Sequence, residues 1–213
     1  MVDNYRHKGL RRQLVQALRE KGIHDEKVLE AIGTLPRHYF MDLAFEEKAY
    51  EDTPFPIGKE QTISQPYTVA YQSSLLAIEK RDTVLEIGTG SGYQAAILSL
   101  MGARVYTIER HESLYLSAKA LLEKMGFNTI RFFWKDGFKG LPEFAPFDKI
   151  LVTAGAAALP ETLLEQLKVG GIAVIPVGKE QQHMYKITRI SASEYQKEKL
   201  DTFRFVPFLE GKV

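Results

Sequence analysis

At 213 residues the chain can bury one substantial core, so one α/β domain with an extension is the expected organisation. A net charge of +1 gives no general attraction to nucleic acid or anionic membrane, and the absence of cysteine excludes a disulfide framework, a thiolate nucleophile and a cysteine metal site. The first residues lack the apolar core of a signal peptide and no stretch reaches the length of a spanning helix; a cytoplasmic protein that engages neither nucleic acid nor membrane is expected.

Leu10, Leu14, Val15 and Leu18 recur at helical spacing and mark an amphipathic segment ending near Gly22. Asp25 suits the cap of a second helix with Val28, Leu29 and Ile32 inside, and Gly33 and Pro36 closing it. The aromatic-rich stretch 37–50 predicts a third short helix. The basic cluster Arg6, His7, Lys8, Arg11 and Arg12 reads as a solvated helix face, because no aromatic or basic repeat follows it. From 51 to 65, prolines and a glycine among apolar residues predict a structured but irregular loop, and loops of that length are often functional. Pro66 suits the first turn of a helix through Val69, Gln72 and Leu76.

The most informative residues follow, from Val84 to Tyr93. A β-branched apolar run, Thr83-Val84-Leu85-Glu86-Ile87, ends in glycines at alternate positions, Gly88, Gly90 and Gly92. Tyr93, Ala96, Ile97 and Leu100 then share a helical face. Strand, tight turn and helix let a ligand lie against bare backbone beside unpaired N–H groups. The spacing departs from the dinucleotide fingerprint, since Gly92 comes one place early and Tyr93 stands where a third glycine belongs. Glu86 before the turn repels a pyrophosphate but suits a ligand with an ammonium group. A second strand over 104–108 ends in Glu109, about twenty residues beyond the turn, where an acidic side chain can accept ribose hydroxyls. Together these features describe a nucleoside carrying an amino acid, and S-adenosyl-L-methionine fits better than NAD.

Beyond the turn, strands near 104–108, 129–133, 149–153 and 172–175 alternate with helices near 112–125 and 160–168. That alternation predicts a doubly wound, mostly parallel Rossmann-like sheet. Residues 184–190 and 200–208 read as terminal strands antiparallel to one another. The expected domain is thus 1–213, with a helical extension and loop over 1–65, a cofactor-binding core over 66–178 and C-terminal strands over 179–213.

These residues resemble the protein-L-isoaspartate O-methyltransferases, within the class I S-adenosylmethionine-dependent methyltransferases. The resemblance runs from about Leu35 to Pro207. Its most specific part is Gly58 to Tyr67, with Thr62-Ile63-Ser64-Gln65-Pro66 placed shortly before the glycine turn. Phe147 to Ala154, Val174 to Gly178 and Phe205-Val206-Pro207 resemble further family landmarks. One departure is visible: the family commonly has alanine and proline after Thr153-Ala154, whereas Gly155-Ala156-Ala157-Ala158 stands here. The resemblance implies that Gly88 approaches the cofactor's amino-acid end and that Glu109 binds the ribose with Arg110 beside it. It implies that Asp136 and Gly137 contact the adenine, and that Gln61, Thr62, Ile63 and Ser64 close over the cofactor and face the substrate.

The implied reaction moves a methyl group from a sulfonium to the free α-carboxylate of an isoaspartyl residue in a damaged protein. A carboxylate with a pKa near 4 is ionised at neutral pH, so no general base is required. The five histidines, His7, His24, His38, His111 and His183, are scattered and read as surface or packing residues. Ser64 is the candidate for holding the carboxylate; the competing role is a helix-entry cap before Pro66. The expected substrate is an isoaspartyl protein or peptide, and the expected state is a monomer. The rival readings are a methyltransferase for another acceptor, a nicotinamide oxidoreductase, and a binding module without turnover.

Overall fold

The computed structural model describes residues 2–213. Its N-terminal part packs α1 (Tyr5–Glu20) against α2 (Glu26–Thr34). Asn4 caps α1 by accepting from the His7 N–H, and Asp25 caps α2 by accepting from Lys27 and Val28. Gly33 lies inside α2, and the helix stops at Leu35, which is extended before Pro36.

The predicted third helix is instead two short 3₁₀ segments, Arg37–Phe40 and Leu43–Lys48. Met41 between them is fully extended, with φ −145° and ψ 166°, and Asp42 restarts the chain by accepting from the Ala44 N–H. The predicted irregular loop contains a hairpin, β1 (Phe55–Gly58) and β2 (Gln61–Ile63), paired antiparallel. Its tip places Lys59 and Glu60 at φ 53° and 57°. Tight hairpin turns need that left-handed pair and usually signal it with Asn-Gly or Asp-Gly, so the turn carries no sequence mark.

The remainder is one seven-stranded sheet in the order β5-β4-β3-β6-β7-β8-β9. The strands are β3 (Thr83–Ile87), β4 (Arg104–Glu109), β5 (Arg131–Trp134), β6 (Phe147–Val152), β7 (Leu167–Val177), β8 (Gln182–Arg189) and β9 (Tyr195–Phe203). Pairing is parallel from β5 to β7 and antiparallel at β8 and β9, the mostly parallel sheet with antiparallel C-terminal strands that the alternation predicts. The connecting helices are α3 (Pro66–Leu76), α4 (Tyr93–Leu100), α5 (Glu112–Lys124) and α6 (Glu161–Glu165). Two boundaries differ from expectation. The helix α6 is shorter because the chain has already joined β7 at Leu167, opposite Phe147. The last strand starts earlier because β9 is an exposed edge whose charged residues hide its periodicity, and it ends at Phe203 rather than 208, since the chain then leaves β8 and Pro207 bridges to Gly155.

Alternation along β3 divides the core. Val84 packs with α1 to α5 on one face, whereas Leu85 and Ile87 join Ile150, Val152 and the α6 leucines Leu163 and Leu164 on the other. The chain order reverses at β3, since β4 and β5 extend to one side and β6 to the other. Such a switch point opens a crevice at the carboxyl ends of the strands.

Candidate active site

The crevice forms a cleft at the carboxyl ends of β3 and β4. Its floor is the turn after β3. Gly88 has φ +98°, and a Cβ there would lie 2.4 Å from Thr153 Oγ1. That hydroxyl donates to the Ile87 and Gly88 carbonyls at 2.9 and 2.8 Å, fastening the turn to the end of β6. Only glycine satisfies both the left-handed backbone and this close approach.

Glu109 at the end of β4 forms one side of the cleft. One carboxylate oxygen accepts from the Gly90 N–H at 2.8 Å and the other from the His111 N–H at 2.9 Å. Each oxygen keeps a lone pair, so a vicinal diol could be accepted without rearrangement. Arg110 also lines the cleft, but its guanidinium donates to the carbonyls of Gly211 and Glu210 at 3.2 and 3.4 Å. Gly137 borders the opposite end, pinned between Ile87 and Phe208, where a Cβ would stand 2.5 and 3.0 Å from their side chains.

The roof comes from β2 and the residues after it, Gln61, Thr62, Ile63 and Ser64. Ser64 does not cap α3, whose N-cap residue is Gln65 with no side-chain capping bond. Asp52 takes that part from a distance, accepting from the Tyr67 N–H at 2.7 Å. The Ser64 hydroxyl is thereby left to the cleft.

Of the expected site residues, Gln61, Thr62, Ile63, Ser64, Gly88, Gly90, Glu109, Arg110 and Gly137 line one cleft, and three do not. Gly92 serves packing: it has φ +86° at the start of α4, and a Cβ would meet Leu122 of α5 at 2.9 Å. Asp136 turns back to accept from the Phe138 N–H at 3.0 Å and caps a 3₁₀ turn. Glu86 is wholly buried, beneath the floor.

Sequence reasoning missed the wall formed by Val206, Pro207, Phe208 and Leu209. This segment bonds to the departed loop: Gly155 N–H donates to Val206 at 2.8 Å, and Phe208 N–H donates to Gly155 at 2.9 Å. Phe208 stacks on Phe138 with ring centroids 4.0 Å apart. Glycine at 155 has a local reason, since a Cβ would lie 2.8 Å from Gln182 Cδ, and that side chain is held because its Oε1 accepts from the Phe205 N–H. The Phe205-Val206-Pro207 landmark was the available signal, but nothing in it says which surface it covers.

No histidine lines the cleft among the described residues. His7 and His38 are instead buried with rings stacked at 3.9 Å, and Arg11, buried rather than solvated, clasps Asp3 at 2.9 and 3.0 Å. Asp3, His7 and His38 bring ligand-type atoms within 4.8 Å of one another. Both Asp3 oxygens are committed to Arg11, and the Nδ1 atoms of His7 and His38 are hydrogen-bonded to the Val2 carbonyl and the Tyr50 hydroxyl, so this cluster is read as packing.

The sequence matches the family described as Protein-L-isoaspartate(D-aspartate) O-methyltransferase (PCMT) over residues 9–213. The chain belongs to that family. A protein-L-isoaspartate O-methyltransferase of Christiangramia forsetii is 58% identical over 212 residues, covering 100% of both chains. That of Cytophaga hutchinsonii is 55% identical, covering 100% of this chain and 96% of its own. A solved protein-L-isoaspartate O-methyltransferase superposes with a TM-score of 0.82 at 30% identity, over 92% of this chain and 65% of that one. A Plasmodium falciparum chain in complex with S-adenosyl-L-homocysteine shares the fold at TM-score 0.80 and 24% identity, over 93% of this chain and 98% of that one.

Proposed function

We infer that this chain is a repair enzyme that transfers a methyl group from S-adenosyl-L-methionine to the free α-carboxylate of L-isoaspartyl residues in damaged proteins. The observation that carries the reading is a single cleft in which the glycine turn, the Glu109 carboxylate and an uncommitted Ser64 hydroxyl converge. Bound there, S-adenosyl-L-methionine supplies an electrophilic methyl carbon on a sulfonium.

The chain's own residues bind and align. Gly88 and Gly90 leave bare backbone on which the amino-acid end can lie, with Thr153 holding the turn in place. Glu109 offers its spare lone pairs to ribose hydroxyls, and the base lies toward the end of the cleft bordered by Gly137 and Phe208. Ser64 donates a hydrogen bond to the substrate carboxylate and points it toward the methyl carbon. The carboxylate arrives ionised, so the site needs no proton acceptor. The hairpin end on one side and residues 206–209 on the other keep water from the reacting atoms. Alignment of this kind is worth on the order of 7–11 kcal/mol at its best.

One continuous sheet shared by the core and the C-terminal strands supports reading 1–213 as one domain. A monomer working in the cytoplasm on protein substrates completes this reading, and the near-neutral charge speaks against a general attraction to nucleic acid. No helix among the described residues is long and apolar enough to cross a membrane. Two peptides that differ only in one aspartyl linkage test the function. Labelled methyl from S-adenosyl-L-methionine should enter the isoaspartyl peptide alone; equal labelling, or labelling of neither, would overturn the assignment.

A further inference from the structure

Glu86 stands two residues before Gly88, at the carboxyl end of β3, and is 0% exposed. Neither of its carboxylate oxygens has a hydrogen-bond partner. Its neighbours in register are Thr107 of β4 and Leu151 of β6, and the Thr107 hydroxyl is shared with Thr89 at 2.6 Å. Helices α3 and α4 cover this face of the sheet and contain no Asp, Glu, Lys, Arg or His; their titratable groups are Tyr67, Tyr71 and Tyr93. The charged group that acts on Glu86 is Glu109, whose own oxygens are already committed to the Gly90 and His111 amides.

A carboxylate charge in that position has no cation to compensate it and only the Thr107 hydroxyl, already shared with Thr89, beside it, and burying such a charge costs several kcal/mol. Burial, opposed in part by the neighbouring Thr107 hydroxyl and reinforced by the Glu109 charge, pushes the Glu86 pKa up to about 8. The next two residues, Ile87 and Gly88, are nevertheless the cleft floor. A ligand with positive sulfur and an ammonium group would supply the missing counter-charge within a short distance, across a medium that screens poorly.

We propose that Glu86 is a positioning residue that holds a proton in the free enzyme and releases it to solvent when S-adenosyl-L-methionine fills the cleft. The inference rests on the cofactor reading above and adds a role for a side chain that does not reach the cleft. The buried charge then exists only while the cationic donor is present. The demethylated product has a neutral sulfur, so its hold on the ionised form is weaker and product departure is accompanied by proton uptake.

Isothermal titration calorimetry of the full chain at pH 7, in two buffers of different ionisation enthalpy, tests this. The binding heat should differ between buffers by roughly one proton released per site, and the difference should be smaller with S-adenosyl-L-homocysteine. Glu86→Gln should bind with buffer-independent heat. Buffer-independent heat in the unaltered protein, or an unchanged proton release in Glu86→Gln, would overturn the proposal while leaving the cofactor assignment intact. Absence of any binding heat would overturn both. Should the variant not fold, the carbon-13 shift of the Glu86 carboxyl in the unaltered protein decides. Its titration midpoint should move to lower pH when cofactor is added; an unmoved midpoint refutes the coupling.

Discussion

Glu109 does two things that its sequence position shows only in part. Its place at the end of β4 indicates a ribose contact, but the carboxylate also ties the Gly90 and His111 amides. Glu109→Ala should therefore weaken cofactor binding in calorimetry and also lower stability, by roughly 1–3 kcal/mol for the orphaned amides. Loss of affinity with unchanged denaturation would remove the anchoring role. Ser64 behaves oppositely, since it makes no capping bond. Ser64→Ala should leave stability within about 0.5 kcal/mol and cofactor affinity unchanged, while the rate of isoaspartyl methylation falls at least about tenfold, equivalent to about 1.4 kcal/mol. Unchanged turnover would return Ser64 to a structural part. The glycine turn was legible because positive φ demands glycine, whereas the inward course of Glu86 followed from strand alternation that only the packing of both sheet faces resolves.

At the scale of elements, the junction between β2 and α3 carries the proposed substrate-facing residues, and a distant residue holds it. Asp52 accepts from the Tyr67 amide at 2.7 Å and pairs with Lys21 of the segment after α1 at 2.6 Å. Asp52→Ala should cost about 1 kcal/mol in chemical denaturation, as for loss of an N-cap, and should lower methylation by displacing Ser64. Full activity at reduced stability would show that Ser64 is held by other contacts. Sequence patterning identified α3 through Pro66 and its apolar face, yet could not find a cap supplied 15 residues upstream. The hairpin escaped for a related reason. Lys59 and Glu60 adopt left-handed backbone without Asn or Gly, so the turn is imposed by its surroundings rather than by local preference.

For the whole molecule, two buried groups shape stability against pH in opposite directions. Burial first, and then the stacked His7, lower the His38 pKa from 6.5 to about 4, so its contribution is present above 6.5 and is lost as pH falls toward 4. Glu86 has its pKa raised from 4.5 to about 8, so its contribution is complete below 4.5 and is lost as pH rises toward 8. The two slopes offset each other between pH 4.5 and 6.5, where the free protein should be most stable, and between pH 6.5 and 8 the Glu86 loss acts alone, at up to about 1.4 kcal/mol per pH unit. Urea denaturation at several pH values should show a decline on the alkaline side that Glu86→Gln flattens; an equal decline in that variant would assign it elsewhere.

What the sequence by itself determined is what short-range chemistry dictates: the alternation of strand and helix, the glycine turn after β3, the acidic residue at the end of β4 and the family landmarks around Ser64. These depend on backbone preference and side-chain period, which act over a few residues. Only the tertiary structure decided which landmarks share a cleft, because that depends on contacts between segments far apart in the chain. Residues 206–209 reach the site by pairing with Gly155, Asp136 leaves it by capping its own turn, and Glu86 is buried beneath it by the pleat of β3. Burial and long-range pairing set these outcomes, and neither is encoded at any single position.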